Sequence, residues 1–197
     1  VNAVRTTLSL FELTTEIHKY PGELSSGQYQ RVLLSKCIVQ NPDLILLDEP
    51  FAHLDQKLSL ELREEFFKIL KDQEITVLWA THDLNNALIF SDKILVINLG
   101  RIEQIDTPEN IYKRPQNIFV ADLFPFSSIV FKDENYQCFR PESIKIHSEG
   151  RHKALASNFQ YIGNGYIAQV HFEDNIYYAY TEDKTEQILF DFLQDKI

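Results

Sequence analysis

The chain has 197 residues, of which 19 are Lys or Arg and 29 are Asp or Glu, so its formal net charge at pH 7 is −10. Such an acidic chain lacks the basic surface that a general nucleic-acid or anionic-membrane binder needs. Hydrophobic residues make up 44% of the sequence and charged residues 24%, a composition typical of a folded globular protein and not of a disordered one. Its two cysteines, Cys37 and Cys138, have neither the spacing of a metal site nor the number of a disulfide framework.

Helices and strands alternate in the predicted structure of the first two-thirds of the chain. Apolar residues at helical spacing predict helices over 25–40, 58–71 and 84–90. Continuous apolar runs predict strands over 44–47 and 76–80, of the kind that is buried on both faces of a sheet. Strand-like segments at 93–98 and 101–104 suggest a hairpin, and Thr107 and Pro108 open a further helix. Strands joined by crossover helices predict an α/β fold with a parallel sheet.

The sequence changes character near residue 125. From there, short segments rich in Tyr, Phe and Ile alternate with turn residues, and we expect strands over 136–139, 143–147, 159–162, 166–172 and 176–180. Several short strands at this spacing predict a small β-barrel or sandwich. We therefore divide the chain into an α/β domain, residues 1–125, and a small all-β domain, residues 126–197.

A first candidate site is the segment 24–28, which reads Leu-Ser-Ser-Gly-Gln and begins the first predicted helix. A helix N-terminus offers unpaired N–H groups and a partial positive charge, and small or hydroxylated residues let an anion approach it. The alternative is that Ser25 only caps the helix. On this segment alone, the structural interpretation is favoured.

Two further candidate sites follow the two apolar strands. Asp48 and Glu49 end the first strand, where one carboxylate could hold a hydrated Mg²⁺ and the other could take a proton from an attacking water. His82, after the second strand, could donate a hydrogen bond to a phosphate oxygen. The alternatives are a solvated acidic turn and a structural histidine.

The order and spacing of these clusters resemble the ATP-binding subunit of ABC transporters. Segment 24–28 is similar to that family's signature motif, with Ser26 where the family usually has its first glycine, and 44–48 is similar to its Walker B strand. Glu49 matches the catalytic glutamate, segment 52–55 the D-loop and His82 the switch histidine. The likeness continues through 100–104 and 107–112, which are typical of importers for polyamines, iron, sulfate or sugars.

The resemblance implies a P-loop NTPase-like fold whose copies pair head to tail around ATP and Mg²⁺. It assigns catalysis to Glu49 and His82, Mg²⁺ to Asp48, and ATP contacts to five further residues, Ser25, Ser26, Gly27, Gln28 and Asp55. The implied partners are a second copy of the subunit, transmembrane permease subunits and, indirectly, a solute-binding protein, with no nucleic acid. The implied location is peripheral, at the cytoplasmic face of the cell membrane.

The all-β domain, residues 126–197, resembles more loosely the C-terminal OB-like regulatory domain of the same family, through segments 139–144 and 161–163.

The phosphate-cradling motif G-x-x-x-x-G-K-[ST] does not occur in the 197 residues, and the sequence has no Met. We therefore expect an N-terminally truncated ATPase subunit that is inactive alone.

Two alternatives stay open. DNA-maintenance ATPases share these motifs, although they need long coiled coils, whose heptads are not found here, and the acidic charge disfavours them. A non-enzymatic dimerisation or regulatory fragment is the second alternative.

Overall fold

A computed structural model describes residues 2–51, 56–132 and 135–193 of the chain. The chain divides into two compact units, residues 1–83 and residues 84–197. The domain boundary predicted near residue 125 falls inside the second unit and stays a prediction.

The first unit contains a β-α-β crossover. Its elements are α1 (Asn2–Leu10), short 3-10 helices at Thr14–Glu16 and Pro21–Glu23, α2 (Ser26–Ile38), β1 (Leu44–Asp48), α3 (Gln56–Asp72) and β2 (Thr76–Ala80). Strands β1 and β2 are parallel neighbours, paired in register from Leu44 with Thr76 to Asp48 with Ala80. Their carboxyl ends therefore lie side by side, which confirms the predicted parallel arrangement.

The sheet of the first unit is buried on one face only. Ile45 is 5% exposed and packs in a core with Leu34 of α2 and with Leu62 and Phe66 of α3. The opposite face carries three exposed leucines, Leu44 (52%), Leu46 (68%) and Leu78 (60%). The prediction of strands buried on both faces was therefore wrong for the described part of this unit, because its helices supply core residues to a single face.

The second unit begins with α4 (Leu84–Phe90) and the antiparallel hairpin of β3 (Ile94–Asn98) and β4 (Arg101–Asp106). The connecting residues Leu99 and Gly100 both have positive φ, 46° and 78°, as a tight two-residue hairpin turn requires. Helices α5 (Pro108–Lys113) and α6 (Ile118–Asp122) follow. Thr107 caps α5 and Asn117 caps α6 by accepting backbone N–H groups.

After α6, the described part of the second unit is mainly β-structure, with one short 3-10 helix at Pro141–Ser143. Strands β5 (Ser128–Lys132) and β6 (Asn135–Phe139) pair in antiparallel fashion. A closed barrel in the order β10-β7-β11-β8-β9 is built from β7 (Ile144–Ile146), β8 (His152–Tyr161), β9 (Tyr166–Phe172), β10 (Asn175–Thr181) and β11 (Gln187–Phe192). Of the two predicted arrangements, a small β-barrel or a sandwich, the structure has the barrel. Strands β5 and β11 and residues 152–158 of β8 were not predicted.

Candidate functional site

The first turn of α2 is held by a reciprocal cap. The Gln28 backbone N–H donates to Ser25 Oγ at 3.2 Å, and the Ser25 backbone N–H donates to Gln28 Oε1 at 3.0 Å. Ser25 and Ser26 are exposed, whereas Gly27 is buried. The structure therefore presents two hydroxyl groups at a helix N-terminus whose backbone geometry is fixed.

The amide of Gln28 has a second partner that sequence reasoning missed. Gln28 Nε2 donates to Glu16 Oε1 at 3.0 Å. Glu16 lies in the short 3-10 helix before α2, in a polar stretch without periodicity. No signal in the sequence distinguished it from its polar neighbours, because the contact depends on how this turn packs against α2.

Glu49 and His82 meet at the carboxyl ends of β1 and β2. Glu49 Oε1 lies 2.6 Å from His82 Nδ1 and accepts the His82 backbone N–H at 2.9 Å. The hydrogen bond with Glu49 raises the pKa of His82 above its ordinary value, and the hydrogen bond with His82 lowers the pKa of Glu49. Parallel pairing of the two strands therefore brings together the two residues that the sequence predicted as catalytic.

Asp48, the last residue of β1, is exposed beside this pair. Within 2–51, 56–132 and 135–193, no group of three or more His, Cys, Asp or Glu side chains could hold a metal ion by itself. A lone carboxylate still fits Mg²⁺, which takes few protein oxygens and completes its shell with water and substrate phosphates. Asp48 therefore fits a Mg²⁺ that is shared with a nucleotide, and not a dedicated metal centre.

Two α2 side chains connect the helix to the rest of the first unit. Gln30 Nε2 donates to the carbonyl oxygen of Pro50, the residue after Glu49. Arg31 donates to the carbonyl oxygen of Phe11 at 3.1 Å and pairs with Glu65 at 3.3 Å. Sequence reasoning missed Gln30, although it lies only two residues after Gln28.

The predicted site residue Asp55, with the rest of segment 52–55, lies outside the described residues.

Comparisons with known proteins show which proteins this chain is similar to. The sequence model of the family described as ABC transporter matches residues 1–52, a stretch that includes the α2 cap, β1 and Glu49. Residues 1–52 are therefore similar in sequence to ABC transporter proteins. The chain is also similar to curated import ATP-binding proteins over most of its length. The spermidine/putrescine import ATP-binding protein PotA of Bacillus thuringiensis (strain Al Hakam) is 37% identical over 183 residues, which are 92% of this chain and 54% of that protein.

A second relative, PotA of Borreliella afzelii (strain PKo), is 37% identical over 173 residues, covering 75% of this chain and 50% of that protein. The chain thus spans about half the length of the curated relatives it matches.

Solved structures of ABC transporter proteins share the fold. An ABC transporter of metal-chelate type, in an inward-facing conformation, aligns with a TM-score of 0.56 and 24% identity over 70% of this chain and 54% of its own. The ATP-binding cassette of another ABC transporter, in its ADP conformation, aligns with a TM-score of 0.53 and 25% identity over 60% of this chain and 48% of its own. In the described part of the chain, no helix has the length and apolarity to cross a membrane.

Proposed function

We propose that this chain acts as an ATP-hydrolysing subunit of an ABC importer. The observation that carries the proposal is the Glu49–His82 pair at the carboxyl ends of two adjacent parallel strands, with the signature-like cap of α2 in the same unit. Open α/β sheets bind their ligands at this edge. The names of the similar import proteins favour a polyamine such as spermidine or putrescine as the imported solute.

In this proposal each residue has a role that its chemistry supports. Glu49 polarises the attacking water and accepts its proton, and His82 stabilises negative charge on the γ-phosphate. Asp48 holds Mg²⁺, an ion that neutralises phosphate charge when it is bound. Phosphoryl transfer depends mainly on positioning and charge neutralisation, which is what exposed carboxylate and imidazole groups at a rigid sheet edge can supply.

The remaining site residues act on the nucleotide of a second copy. Ser25, Gly27 and Gln28 contact the γ-phosphate of ATP that the other subunit holds, Ser26 belongs to the same ATP-contacting segment, and Asp55 couples the two sites. The phosphate-cradling motif G-x-x-x-x-G-K-[ST] does not occur in the 197 residues. The subunit pair sits on transmembrane permease subunits at the cytoplasmic face of the cell membrane and is served indirectly by a solute-binding protein, while the OB-like barrel regulates the pair.

The proposal is tested by ATP-driven pairing of the intact protein. Ser25→Arg places a bulky cation at the α2 cap, so it should abolish pairing, measured by light scattering with Mg-ATP, because the second copy can no longer approach. Nucleotide affinity of the single subunit should stay within about twofold of wild type, since in this proposal Ser25 contacts only the partner's ATP. Unchanged pairing, or a collapse of single-subunit affinity, would contradict the head-to-tail arrangement.

A further inference from the structure

The side chain of Gln28 has a defined orientation at the start of α2. Its Nε2 donates to Glu16 Oε1 at 3.0 Å, and its Oε1 accepts the Ser25 backbone N–H at 3.0 Å. An ionised carboxylate only accepts hydrogen bonds and a backbone N–H only donates them, so these two partners together permit one amide orientation. The reversed amide would set its oxygen against the carboxylate.

Glu16 itself is held in place. The Thr15 hydroxyl donates to Glu16 Oε2 at 2.7 Å, and Lys19 Nζ lies 3.7 Å from Glu16 Oε1. The Glu16 side chain is only 12% exposed. Because its carboxylate is both enclosed and hydrogen-bonded, it is a rigid acceptor for Gln28 and not a mobile surface charge.

We propose that Glu16 is a positioning residue that aims an N–H group of Gln28 at the γ-phosphate of the nucleotide. The inference rests on the proposed function, in which Gln28 contacts that phosphate. A primary amide has two N–H groups, and the contact with Glu16 uses one of them. The same contact turns the amide oxygen away, towards the Ser25 N–H, so the amide meets the phosphate with a donor and not with a repelling oxygen.

The negative charge of Glu16 opposes an approaching phosphate. Lys19 lies close enough to reduce the net charge of this turn. The orienting hydrogen bond therefore acts with a smaller electrostatic penalty than an isolated carboxylate would impose. Charge and orientation can be separated experimentally, because Glu16→Gln keeps a carbonyl acceptor and removes the charge.

The test compares four variants of the intact protein for ATP hydrolysis at saturating Mg-ATP and for melting temperature. Glu16→Ala removes the acceptor and should lower kcat about tenfold, the loss expected from one misaligned hydrogen bond. Glu16→Gln should restore kcat to within about twofold of wild type. The double variant Glu16→Ala with Gln28→Ala, compared with Gln28→Ala alone, shows whether Glu16 acts through Gln28, since such an effect disappears once the Gln28 side chain is removed.

The double variant separates positioning from simple structural support. If Glu16 acts through Gln28, Glu16→Ala lowers kcat of wild type about tenfold but changes kcat of Gln28→Ala by less than about twofold. If Glu16 only stabilises the turn, Glu16→Ala lowers kcat by the same factor in both backgrounds and lowers the melting temperature, and the inference is wrong. Glu23→Ala is the matched control, since Glu23 accepts the Tyr20 N–H at 2.7 Å in the neighbouring turn and its loss should leave kcat within about twofold of wild type.

Failure of the proposed function is distinguishable from failure of this inference. Pairing that is insensitive to Ser25→Arg overturns the proposed function and the inference with it. A Ser25→Arg variant that fails to pair, together with a Glu16→Ala variant that hydrolyses ATP at the wild-type rate, overturns the inference alone.

Discussion

At the scale of single residues, Glu49 combines an unfavourable backbone with a strong side-chain contact. Its φ is 44°, in the left-handed region that costs a non-glycine residue about 1 kcal/mol. The Glu49 backbone N–H donates to the Ala80 carbonyl oxygen at 3.0 Å, and its carboxylate accepts two contacts from His82. These hydrogen bonds hold the residue in a conformation that directs its carboxylate across the strand ends.

Titration of His82 measures this contact directly. The hydrogen bond raises the pKa of His82 and lowers the pKa of Glu49, so the charged pair persists from the lowered pKa of Glu49 up to the raised pKa of His82. The stabilisation through His82 is complete below its ordinary pKa of about 6.5 and is lost as the pH rises through the raised value. In Glu49→Gln the carboxylate is gone, so the midpoint of His82 followed by NMR should fall relative to wild type.

Identical His82 midpoints in the two proteins would show that Glu49 and His82 do not interact in solution. The resonances of Leu62 and Phe66 in the core of the same unit serve as the control that the variant folds like wild type. Because His82 is 83% exposed, we expect this contact to show in the titration and not in the melting temperature.

At the scale of elements, caps and strand ends were predictable and one-sided burial was not. Ser25 and Thr107 cap the helices as expected, since local hydrogen bonding at a helix start depends on nearby residues. Burial of β1 depends on what packs against the sheet, which a four-residue apolar run cannot specify. Strand β11 was missed because its register with β8 and β7 comes from barrel closure and not from local sequence.

Among the contacts between elements, we expect the loss of those made by Arg140 to lower the free energy of unfolding most. It is 3% exposed, and it donates to the carbonyl oxygens of Tyr112 at 2.9 Å and Ala121 at 3.0 Å. Its guanidinium also lies over the rings of Tyr112 and Phe124, 4.5 and 5.0 Å from their centroids. One buried cation thus connects α5 and α6 to the end of β6.

Arg140→Met keeps most of the side-chain volume but leaves those carbonyl groups without their donor. We expect it to lower the free energy of unfolding by about 3 kcal/mol, measured by urea denaturation followed by near-UV circular dichroism. Arg151→Met is the control in the same unit. Arg151 is 72% exposed and pairs with Asp191 at 2.7 Å, and a surface ion pair of this kind contributes at most about 1 kcal/mol. Equal losses in the two variants would contradict the buried role of Arg140.

At the scale of the whole molecule, the composition predicted a folded globular protein with a negative net charge. The contacts within the candidate site, in contrast, depend on the fold. A net charge of −10 predicts that the protein does not bind DNA, and fluorescence anisotropy with a labelled duplex at about 0.15 M salt should give a dissociation constant weaker than about 10⁻⁴ M. Tighter binding would favour the DNA-maintenance alternative.

Motif order predicted that Glu49 and His82 act together, because the carboxyl ends of neighbouring parallel strands lie side by side. Glu16 and Gln30 could not be predicted, because their contacts depend on tertiary packing.

We propose that Glu49 supplies the hydrolytic carboxylate of an ATPase. The most direct measurement is the rate of ATP hydrolysis by the intact protein with saturating Mg-ATP, wild type against Glu49→Gln. Loss of the carboxylate should lower the rate by about 10²–10³, the usual cost of removing one group that acts on the transition state, while ATP binding is retained. A Glu49→Gln protein that hydrolyses ATP at the wild-type rate would contradict the account.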